Sequence, residues 1–361
     1  MAIATCLAAI AYVGRTELWS AGQRNPTASA CGIATADRIV AIGDVHGAYD
    51  QFVAILREAG VIDQRQRWTG GKAVLVQTGD VVDRGGDSRR VLDLLRRLET
   101  DAPKAGGRVV ALLGNHEVLR MLGDTRYISQ AEYAAFRSPE GSELRERYYT
   151  LVSDAEKANA AKTAQKFDER AFRTAFLERT PLGFVEMLLA FAPDGEYGRW
   201  LRTHDTIAIV NGIAFLHGGT TLAVATQGCV AVNAAVRTQL QTLKLIDPAI
   251  EQSLLAATGP LWYRGLVEEP AAVDSAAFDG ILGALGVKAM VVGHTVASGG
   301  RMRVSFDGRL IQIDTGMLGQ KFYPEGAPSA LEIRNGKFTA IYVGKREVIA
   351  GPPAPSHSAR R

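Results

Sequence analysis

The 361-residue chain has little cysteine, little excess charge and no long hydrophobic run. Its three cysteines, Cys6, Cys31 and Cys229, form neither a C-x-x-C pair nor a zinc-binding spacing, and their odd number argues against a disulfide framework. Lysine and arginine number 41 against 38 aspartates and glutamates, so no basic field indicates a nucleic-acid partner. Neither G-x-x-x-x-G-K-[ST] nor a strand followed by G-x-G-x-x-G occurs, which argues against a nucleotide cofactor.

The N-terminal apolar segment, residues 2–13, has the length of a signal-peptide core but is too short for a membrane span, which needs about 20 residues. No lysine or arginine precedes it and no small-x-small cleavage site follows, so the signal is incomplete and the sequence fits a cytoplasmic or an exported protein. We predict an apolar segment and linker at 1–36, with 20–32 as the linker, a main domain at 37–350 and a disordered tail at 351–361.

Three polar, glycine-bracketed segments each follow a short run rich in valine, isoleucine and leucine. The segments are Gly43-Asp44-Val45-His46-Gly47, Gly79-Asp80-Val81-Val82-Asp83-Arg84-Gly85 and Gly114-Asn115-His116-Glu117, after runs at 38–42, 73–76 and 109–113. Such runs are typical of parallel strands buried on both faces, and open α/β sheets place their ligands beyond the carboxyl ends of the strands. Asp44 and His46, two apart on extended backbone, point the same way. We therefore predict one site where these segments meet.

Helical and strand patterns continue through the rest of the chain. Apolar positions 52, 55, 56 and 59 predict a helix that ends at Gly60, and a second helix follows the N-cap Asp87 with apolar positions 91, 94, 95 and 98. Strand signals vanish from 123 to 202, which predicts a helical cap inserted beside the site.

Strand signals return after residue 202 and bring two further histidines. The pair of runs 206–210 and 213–216 around Asn211-Gly212 predicts a hairpin that delivers His217 at its end. The run 289–292 likewise ends at Gly293-His294. Further strands are predicted at 310–313, 330–333 and 338–342.

Six oxygen or imidazole donors, without sulfur, now stand at strand ends: Asp44, His46, Asp80, Asn115, His217 and His294. This donor set suits manganese, iron or zinc. Six ligands exceed the needs of one catalytic ion, which must keep a position open for water, so two ions are expected. Two ions about 3.5–4 Å apart clamp the attacking and leaving oxygens of an in-line displacement. Asp80, the central strand-end carboxylate, is the natural bridging ligand.

Three further side chains fit a phosphoryl transition state. Arg84 and Arg264 offer guanidinium forks that match two phosphate oxygens, although a lone arginine is more often a surface residue. His116, oriented by a carboxylate such as Asp83, is placed to protonate a departing oxygen. The alternative, His116 as a seventh metal ligand, is less favoured because adjacent residues rarely face one centre.

The three segments, with Leu216-His217-Gly218-Gly219 and Val292-Gly293-His294, resemble the calcineurin-like metallophosphoesterase superfamily. Gly79 to Gly85 and Gly114 to Glu117 resemble phosphoprotein phosphatases in particular. The eukaryotic Ser-Ala-Pro-Asn-Tyr segment is replaced by Asp314-Thr315-Gly316-Met317, and with Gly123-Asp124-Thr125-Arg126-Tyr127 and the insert this is most similar to the Shewanella-like branch. That departure argues against a strict serine/threonine preference.

The resemblance implies an α/β fold, an αββα sandwich of two mixed sheets flanked by helices, with 37–350 as the catalytic domain and 123–202 as the cap insert. It implies Asp44, His46 and Asp80 on one metal, and Asp80, Asn115, His217 and His294 on the other. It also implies His116 as general acid paired with Asp83, and Arg84, Arg264 and Asn115 as phosphate-binding residues.

The expected function is therefore hydrolysis of phosphomonoesters on phosphoproteins, on serine/threonine or tyrosine, by a metal-bridging hydroxide with two manganese or iron ions, or zinc. Hydrolysis of dinucleoside polyphosphates on the same fold is the alternative. Asp83 and Glu117 argue against it, since that branch usually lacks the first and carries aspartate at the second. A metal-free scaffold would need a damaged ligand set, and all six ligands are intact. Because all six lie outside the insert, we expect the insert to set substrate choice rather than chemistry.

Overall fold

The computed structural model describes residues 30–35, 37–244, 247–267, 273–319 and 321–351. The apolar segment at 2–13, most of the predicted linker and the tail from residue 352 onward lie outside the described residues. Among the helices that are described, none is long and apolar enough to cross a membrane.

The described residues form twelve strands and eleven α-helices. The strands are β1 Cys31–Ile33, β2 Ile39–Ile42, β3 Val74–Gln77, β4 Arg108–Ala111, β5 Ile207–Val210, β6 Ile213–Leu216, β7 Ala289–Val292, β8 Arg303–Ser305, β9 Leu310–Gln312, β10 Ser329–Arg334, β11 Lys337–Tyr342 and β12 Lys345–Ala350. The helices are α1 Tyr49–Glu58, α2 Ser88–Asp101, α3 Asn115–Met121, α4 Gln130–Ala135, α5 Gly141–Lys162, α6 Glu169–Arg179, α7 Phe184–Phe191, α8 Glu196–Leu201, α9 Leu222–Ala225, α10 Cys229–Thr242 and α11 Ser275–Leu285.

The strands build two six-stranded mixed sheets, which confirms the predicted sandwich. The first sheet has the order β12-β11-β10-β2-β3-β4, and β2, β3 and β4 run parallel at one side of it. The second sheet has the order β1-β5-β6-β7-β9-β8, with β6, β7 and β9 parallel. Parallel neighbours end at the same edge of a sheet, so each sheet presents a row of strand-end loops.

Side-chain alternation along the strands separates two hydrophobic layers. In β2, Ile39 and Ala41 pack with Phe215 and other residues of the second sheet, and form the layer between the sheets. Val40 and Ile42 face the opposite way and pack with helix residues such as Phe52. Both faces of the central strands are therefore buried, which is why the sequence reads as continuous apolar runs.

The predicted elements are present with boundaries that move by one or two residues. The hairpin pairs Ile207 with Leu216 and Val210 with Ile213, as the Asn211-Gly212 turn predicts. Five helices, α4 to α8, occupy the predicted insert. Strands β8 and β12 were not predicted, because their sequences carry charged residues and little apolar alternation.

The predicted linker is wrong in its last residues, and the argument against a disulfide framework missed one bridge. Cys31–Ile33 is strand β1, which pairs parallel to β5, and Cys31 is disulfide-bonded to Cys229 at the start of α10. The odd cysteine count does not exclude one bridge, since strand pairing brings together two cysteines 198 residues apart, with Cα atoms 6.0 Å apart. The pairing of β1 could not be read from a three-residue Cys-Gly-Ile segment.

Candidate active site

The loops after β2 and β3 lie side by side and are joined through their backbones. The amides of Val45 and His46 both donate to the carbonyl of Asp80 at 2.9 Å, and the amide of Gly47 donates to the carbonyl of Val81 at 2.9 Å. Gly79 sits against the backbone of the third loop, where a Cβ would lie 2.4 Å from the amide nitrogen of Gly114. Glycine is required there because no side chain fits between the loops.

Glu117 is the residue that ties the second and third loops together. Its buried carboxylate accepts the amides of Gly114 and Asp80 at 2.8 Å and the amide of Val81 at 2.9 Å. Burial, together with the charge of Asp80, raises the pKa of Glu117. We had named Glu117 only as a family feature. Its position as the third residue of a helix is the signal that predicts a carboxylate bonded back to the N-cap amide.

The second sheet delivers its two histidines to the same place. His217 follows β6 and its Nδ1 donates to the carbonyl of Thr78 at 2.9 Å, while its Nε2 lies 2.9 Å from Oδ1 of Asn115. His294 follows β7, and its amide donates to Oδ1 of Asp44 at 2.9 Å. The strand-end rows of the two sheets therefore meet at one site.

Asp80 lies at the centre of this site. Its Oδ2 is 3.3 Å from Nε2 of His217, 3.7 Å from Nε2 of His46 and 3.8 Å from Nε2 of His116. Two overlapping groups of metal-ligating atoms result, each spanning no more than 4.8 Å, and both contain Asp80. Their members are His46, Asp80 and His116 in one group, and Asp80, His217 and His294 in the other.

The backbone of the site is strained. Several of its residues other than glycine have φ values between 48° and 72°, in the left-handed region that side chains disfavour. Those residues are His46, Asp80, Asp83, Arg84 and His294. Strain of this kind persists only where the surroundings hold it, and it clusters at functional sites. All five residues carry ionisable side chains, and all five belong to the strand-end loops that form the site.

Several buried carboxyl groups lie close together in the site, which favours the binding of cations there. Burial and the neighbouring carboxylates of Asp314 and Asp80 raise the pKa of Asp44 well above its usual range. Burial likewise raises the pKa of Asp314 to about 6. These acidic groups crowd together away from water, where unpaired negative charge is costly. Asp314 was missed as part of the site because it stands in no recognisable ligand spacing.

The donors available fit two metal ions. Nε2 of His294 is buried and has no hydrogen-bond partner among the described residues, and burial lowers the pKa of this histidine to about 2. A buried imidazole nitrogen with a free lone pair is the form in which histidine binds a metal. Oxygen and imidazole donors without sulfur match manganese, iron or zinc.

His46 is held in the same neutral form. Its Nδ1 donates to the carbonyl of Val82 at 2.9 Å, and burial lowers the pKa of His46 to about 3. A carbonyl partner requires the proton on Nδ1, so Nε2 keeps its lone pair. Nη1 of Arg84 lies 2.9 Å from this Nε2, consistent with an acceptor nitrogen there.

His116 has a different partner. Its Nδ1 lies 2.7 Å from Oδ2 of Asp83, and Asp83 is in turn paired with the buried guanidinium of Arg120. Burial alone would lower the pKa of His116, but the carboxylates of Asp80 and Asp83 outweigh it and raise that pKa above its usual value. The pairing with Asp83 was expected from the family resemblance. Arg120 was missed, because a single arginine inside a helix gives no such signal.

Both predicted arginines lie at the site. Besides its contact with His46, Arg84 places Nη2 3.4 Å from Nε2 of His116 and bonds the hydroxyl of Tyr323. Nε of Arg264 donates to Oγ1 of Thr295 at 3.2 Å, and the charge of Arg264 contributes to lowering the pKa of His294. Two guanidinium groups, from different loops, thus lie next to the cluster of metal-ligating side chains.

An apolar cleft opens beside the histidines. The ring of Trp262 stands edge-on to His294, with centroids 5.7 Å apart. From there a cleft of about 390 Å³ extends between α3 and the segment 250–258. Val118, Leu119, Leu122 and Leu255 are among its lining residues. The cleft adjoins the site and offers apolar contact to a group next to the reacting centre.

Comparison with known proteins identifies the family of the chain. The family model for calcineurin-like phosphoesterases matches residues 37–298. Shewanella-like protein phosphatase 2 of Arabidopsis thaliana is 33% identical over 304 residues, which cover 82% of this chain and 75% of that protein. Shewanella-like protein phosphatase 1 of Plasmodium berghei is 27% identical over 309 residues, covering 84% and 74%.

The fold is also similar to that of a solved phosphatase structure. The cold-active protein-tyrosine phosphatase of a psychrophilic Shewanella species superposes with a TM-score of 0.65 at 26% identity, over 88% of this chain and 82% of that one. The family model, the relatives that align over most of the chain and the superposed structure thus point to one family. The chain belongs to the calcineurin-like phosphoesterase family, and it is a hydrolase of phosphoesters homologous to the Shewanella-like protein phosphatases.

Proposed function

We propose that this protein is a two-metal phosphomonoesterase that removes phosphate from phosphorylated proteins. The observation that carries the proposal is the pairing of His116 with Asp83 directly beside the shared carboxylate of Asp80. That arrangement puts a proton donor next to a cluster able to hold two cations. Phosphomonoester hydrolysis needs both, because a poor leaving oxygen must be protonated and the phosphoryl charge must be neutralised.

We assign the ligands by their chemistry. Asp44, His46 and Asp80 would hold one ion, and Asp80, Asn115, His217 and His294 the other, with manganese, iron or zinc as the metals suited to them. Two bound ions would activate water and stabilise the charge of the transition state. Backbone carbonyls fix the Nδ1 protons of His46 and His217, so Nε2 of each ring would be available as a metal ligand.

The remaining side chains act on the substrate. Arg84 and Arg264 donate to the non-bridging oxygens of the phosphate, and the amide group of Asn115 adds a further donor. Nε2 of His116 gives its proton to the departing oxygen, while Asp83 keeps the ring oriented and stabilises its positive charge. This assignment treats His116 as a donor and not as a seventh metal ligand.

Three observations support a phosphoprotein as substrate. Two relatives that align over most of the chain are named as protein phosphatases, and the superposed structure is a protein-tyrosine phosphatase. The cleft beside Trp262 offers apolar contact to a side chain that flanks the phosphorylated residue. We infer that the substrate carries phosphotyrosine, phosphoserine or phosphothreonine, and that phosphotyrosine is accepted.

One assay on the purified protein tests the proposal. Phosphotyrosine and phosphoserine peptides and a dinucleoside polyphosphate are compared as substrates at equal concentration with added Mn²⁺. We expect release of phosphate from at least one peptide at a kcat/KM well above that for the dinucleoside polyphosphate. Preferential cleavage of the dinucleoside polyphosphate would overturn the assignment to phosphoproteins while leaving the two-metal chemistry intact.

A further inference from the structure

A chain of four buried ionic side chains leads from His116 into the helical insert. Nδ1 of His116 meets Oδ2 of Asp83 at 2.7 Å, and the other oxygen of Asp83 accepts from Nη2 of Arg120. The same Nη2 lies 2.8 Å from Oε1 of Glu132 on α4. All four side chains are at most 3% exposed, so water does not compete for these contacts.

The insert surrounds the guanidinium of Arg120 on its other sides. Nη1 of Arg120 lies 3.2 Å from Sδ of Met187, and its guanidinium stands 5.0 Å from the centroid of the Phe191 ring. Met187 and Phe191 both belong to α7. Glu132 on α4 and these two residues on α7 therefore define where the guanidinium lies, although Arg120 itself belongs to α3.

The start of the insert is also bonded to the loop that carries Asp83. Oγ of Ser129 donates to the carbonyl of Gly85 at 2.9 Å and, as the N-cap of α4, accepts the amide of Glu132. The amide of Arg84 donates to the carbonyl of Tyr127 at 2.9 Å. The position of Glu132 relative to Asp83 is thus set by hydrogen bonds between the two segments, one of them between backbones.

We propose that Arg120 and Glu132 are positioning residues for proton donation by His116. Asp83 alone can rotate about its side chain, but with Arg120 on one oxygen its second oxygen is fixed on His116. Without Glu132, the guanidinium of Arg120 would lose its second ionic partner and keep only Met187 and Phe191 on the insert side. The inference rests on the proposed role of His116 as the proton donor.

This assignment gives the insert a part in the chemistry. All the proposed metal ligands lie outside 123–202, which led us to expect that the insert governs only substrate choice. Glu132 lies within the insert and reaches the reacting proton through two intermediates, Arg120 and Asp83. Changes in the insert that displace α4 should therefore alter kcat in a way that depends on the leaving group.

Leaving-group dependence provides the test. Glu132→Gln keeps the shape of the side chain and removes its charge. In the Mn²⁺-loaded enzyme we expect it to lower kcat for phenyl phosphate by about tenfold to a hundredfold, the loss that a small misplacement of a reacting group produces. Turnover of p-nitrophenyl phosphate, whose leaving group needs little protonation, stays at the wild-type level. Metal content, measured by elemental analysis, and KM stay unchanged.

A matched control lies in the same insert. Glu146→Gln removes the partner of an exposed ion pair with Arg173, at 2.8 Å, which does not touch the chain of side chains leading to His116. This variant should show wild-type kcat for both substrates. Equal behaviour of Glu132→Gln and Glu146→Gln would overturn the proposal.

The His116→Asn background separates this proposal from the one it rests on. If Glu132 acts through His116, Glu132→Gln causes no further loss on phenyl phosphate once His116 is replaced. A full additional loss would overturn the proposal and leave His116 as donor. If His116→Asn itself shows no leaving-group dependence, both proposals are wrong. Should Glu132→Gln fail to fold, Arg120→Lys, which keeps the charge but loses the planar fork, is used in the same cycle.

Discussion

The two sides of Asp80 use histidine in opposite ways. On one side, His217 is bonded through Nδ1 to the carbonyl of Thr78, and His294 has a buried Nε2 with no hydrogen-bond partner among the described residues. On the other side, His116 is bonded through Nδ1 to the carboxylate of Asp83. A carbonyl accepts a hydrogen bond from the protonated Nδ1 of the ring, whereas a carboxylate in addition stabilises the positive charge of a doubly protonated ring.

The pKa values follow this difference. Burial lowers the pKa of His294 to about 2, while the carboxylates beside His116 overcome burial and raise its pKa. His46 lies near His116 but belongs with His294, because burial lowers its pKa to about 3. The partner of the ring therefore decides its function: neutral rings are suited to metals, and the carboxylate-bound ring is suited to donating a proton.

The largest loss of activity is expected on replacing Asp80, which belongs to both groups of metal-ligating residues. Asp80→Asn weakens both metal sites, so it should lose more than half of the bound metal and lower activity by about a thousandfold or more, since metal ions supply several kcal/mol of transition-state stabilisation. Chelation of the wild-type enzyme should abolish activity and Mn²⁺ should restore it. Full turnover by metal-stripped protein would exclude the two-metal mechanism.

Replacing the proton donor should cost less. His116→Asn is expected to lower kcat by about 10²–10⁴-fold, the usual contribution of general acid catalysis. The loss should shrink on p-nitrophenyl phosphate, and the metal content should stay at the wild-type level. A loss of equal size on good and poor leaving groups would instead place His116 among the metal ligands.

The proposed phosphate-binding residues contact both groups of histidines. Arg264→Ala should lower kcat/KM by about tenfold to a hundredfold, since hydrogen bonds to charged groups are worth about 1.5–3 kcal/mol. Arg264→Lys should not rescue it, because a point charge cannot form two parallel hydrogen bonds. Arg301→Lys, at an exposed ion pair with Glu347, is the control and should behave as wild type. Wild-type kinetics in Arg264→Ala would remove that residue from the site.

The disulfide lies outside this comparison and should affect stability alone. Cys229→Ser opens the bridge to Cys31, which should lower the free energy of unfolding by about 2–4 kcal/mol. The kcat of the folded enzyme should not change. Urea unfolding with and without a reductant measures the difference, and equal stability of the wild type under both conditions would show that the bridge contributes nothing.

The sequence predicted the ligand side better than the proton-donor side. Asp44, Asp80 and Asn115 come two to four residues after the ends of apolar runs, and the rule that parallel strands end at one edge is enough to bring them together. His217 and His294 were found by the same rule in the second sheet. These positions can be predicted from local sequence because the strand before each residue determines where that residue lies.

The other contacts depend on tertiary packing. Arg120 and Glu132 are 12 residues apart on two different helices, and only the packing of α4 against α3 makes them an ion pair. Asp314 and the bond between Cys31 and Cys229 are equally non-local. No spacing in the sequence encodes contacts of this kind, and so they were missed or predicted wrongly.

Metal stoichiometry tests the division between the two sides of Asp80 most directly. His116→Asn and His294→Asn are purified in parallel, loaded with Mn²⁺, freed of excess metal and analysed for bound metal per chain. We predict that His116→Asn keeps the wild-type content and that His294→Asn loses one ion. Loss of an ion from His116→Asn with full occupancy in His294→Asn would contradict the account.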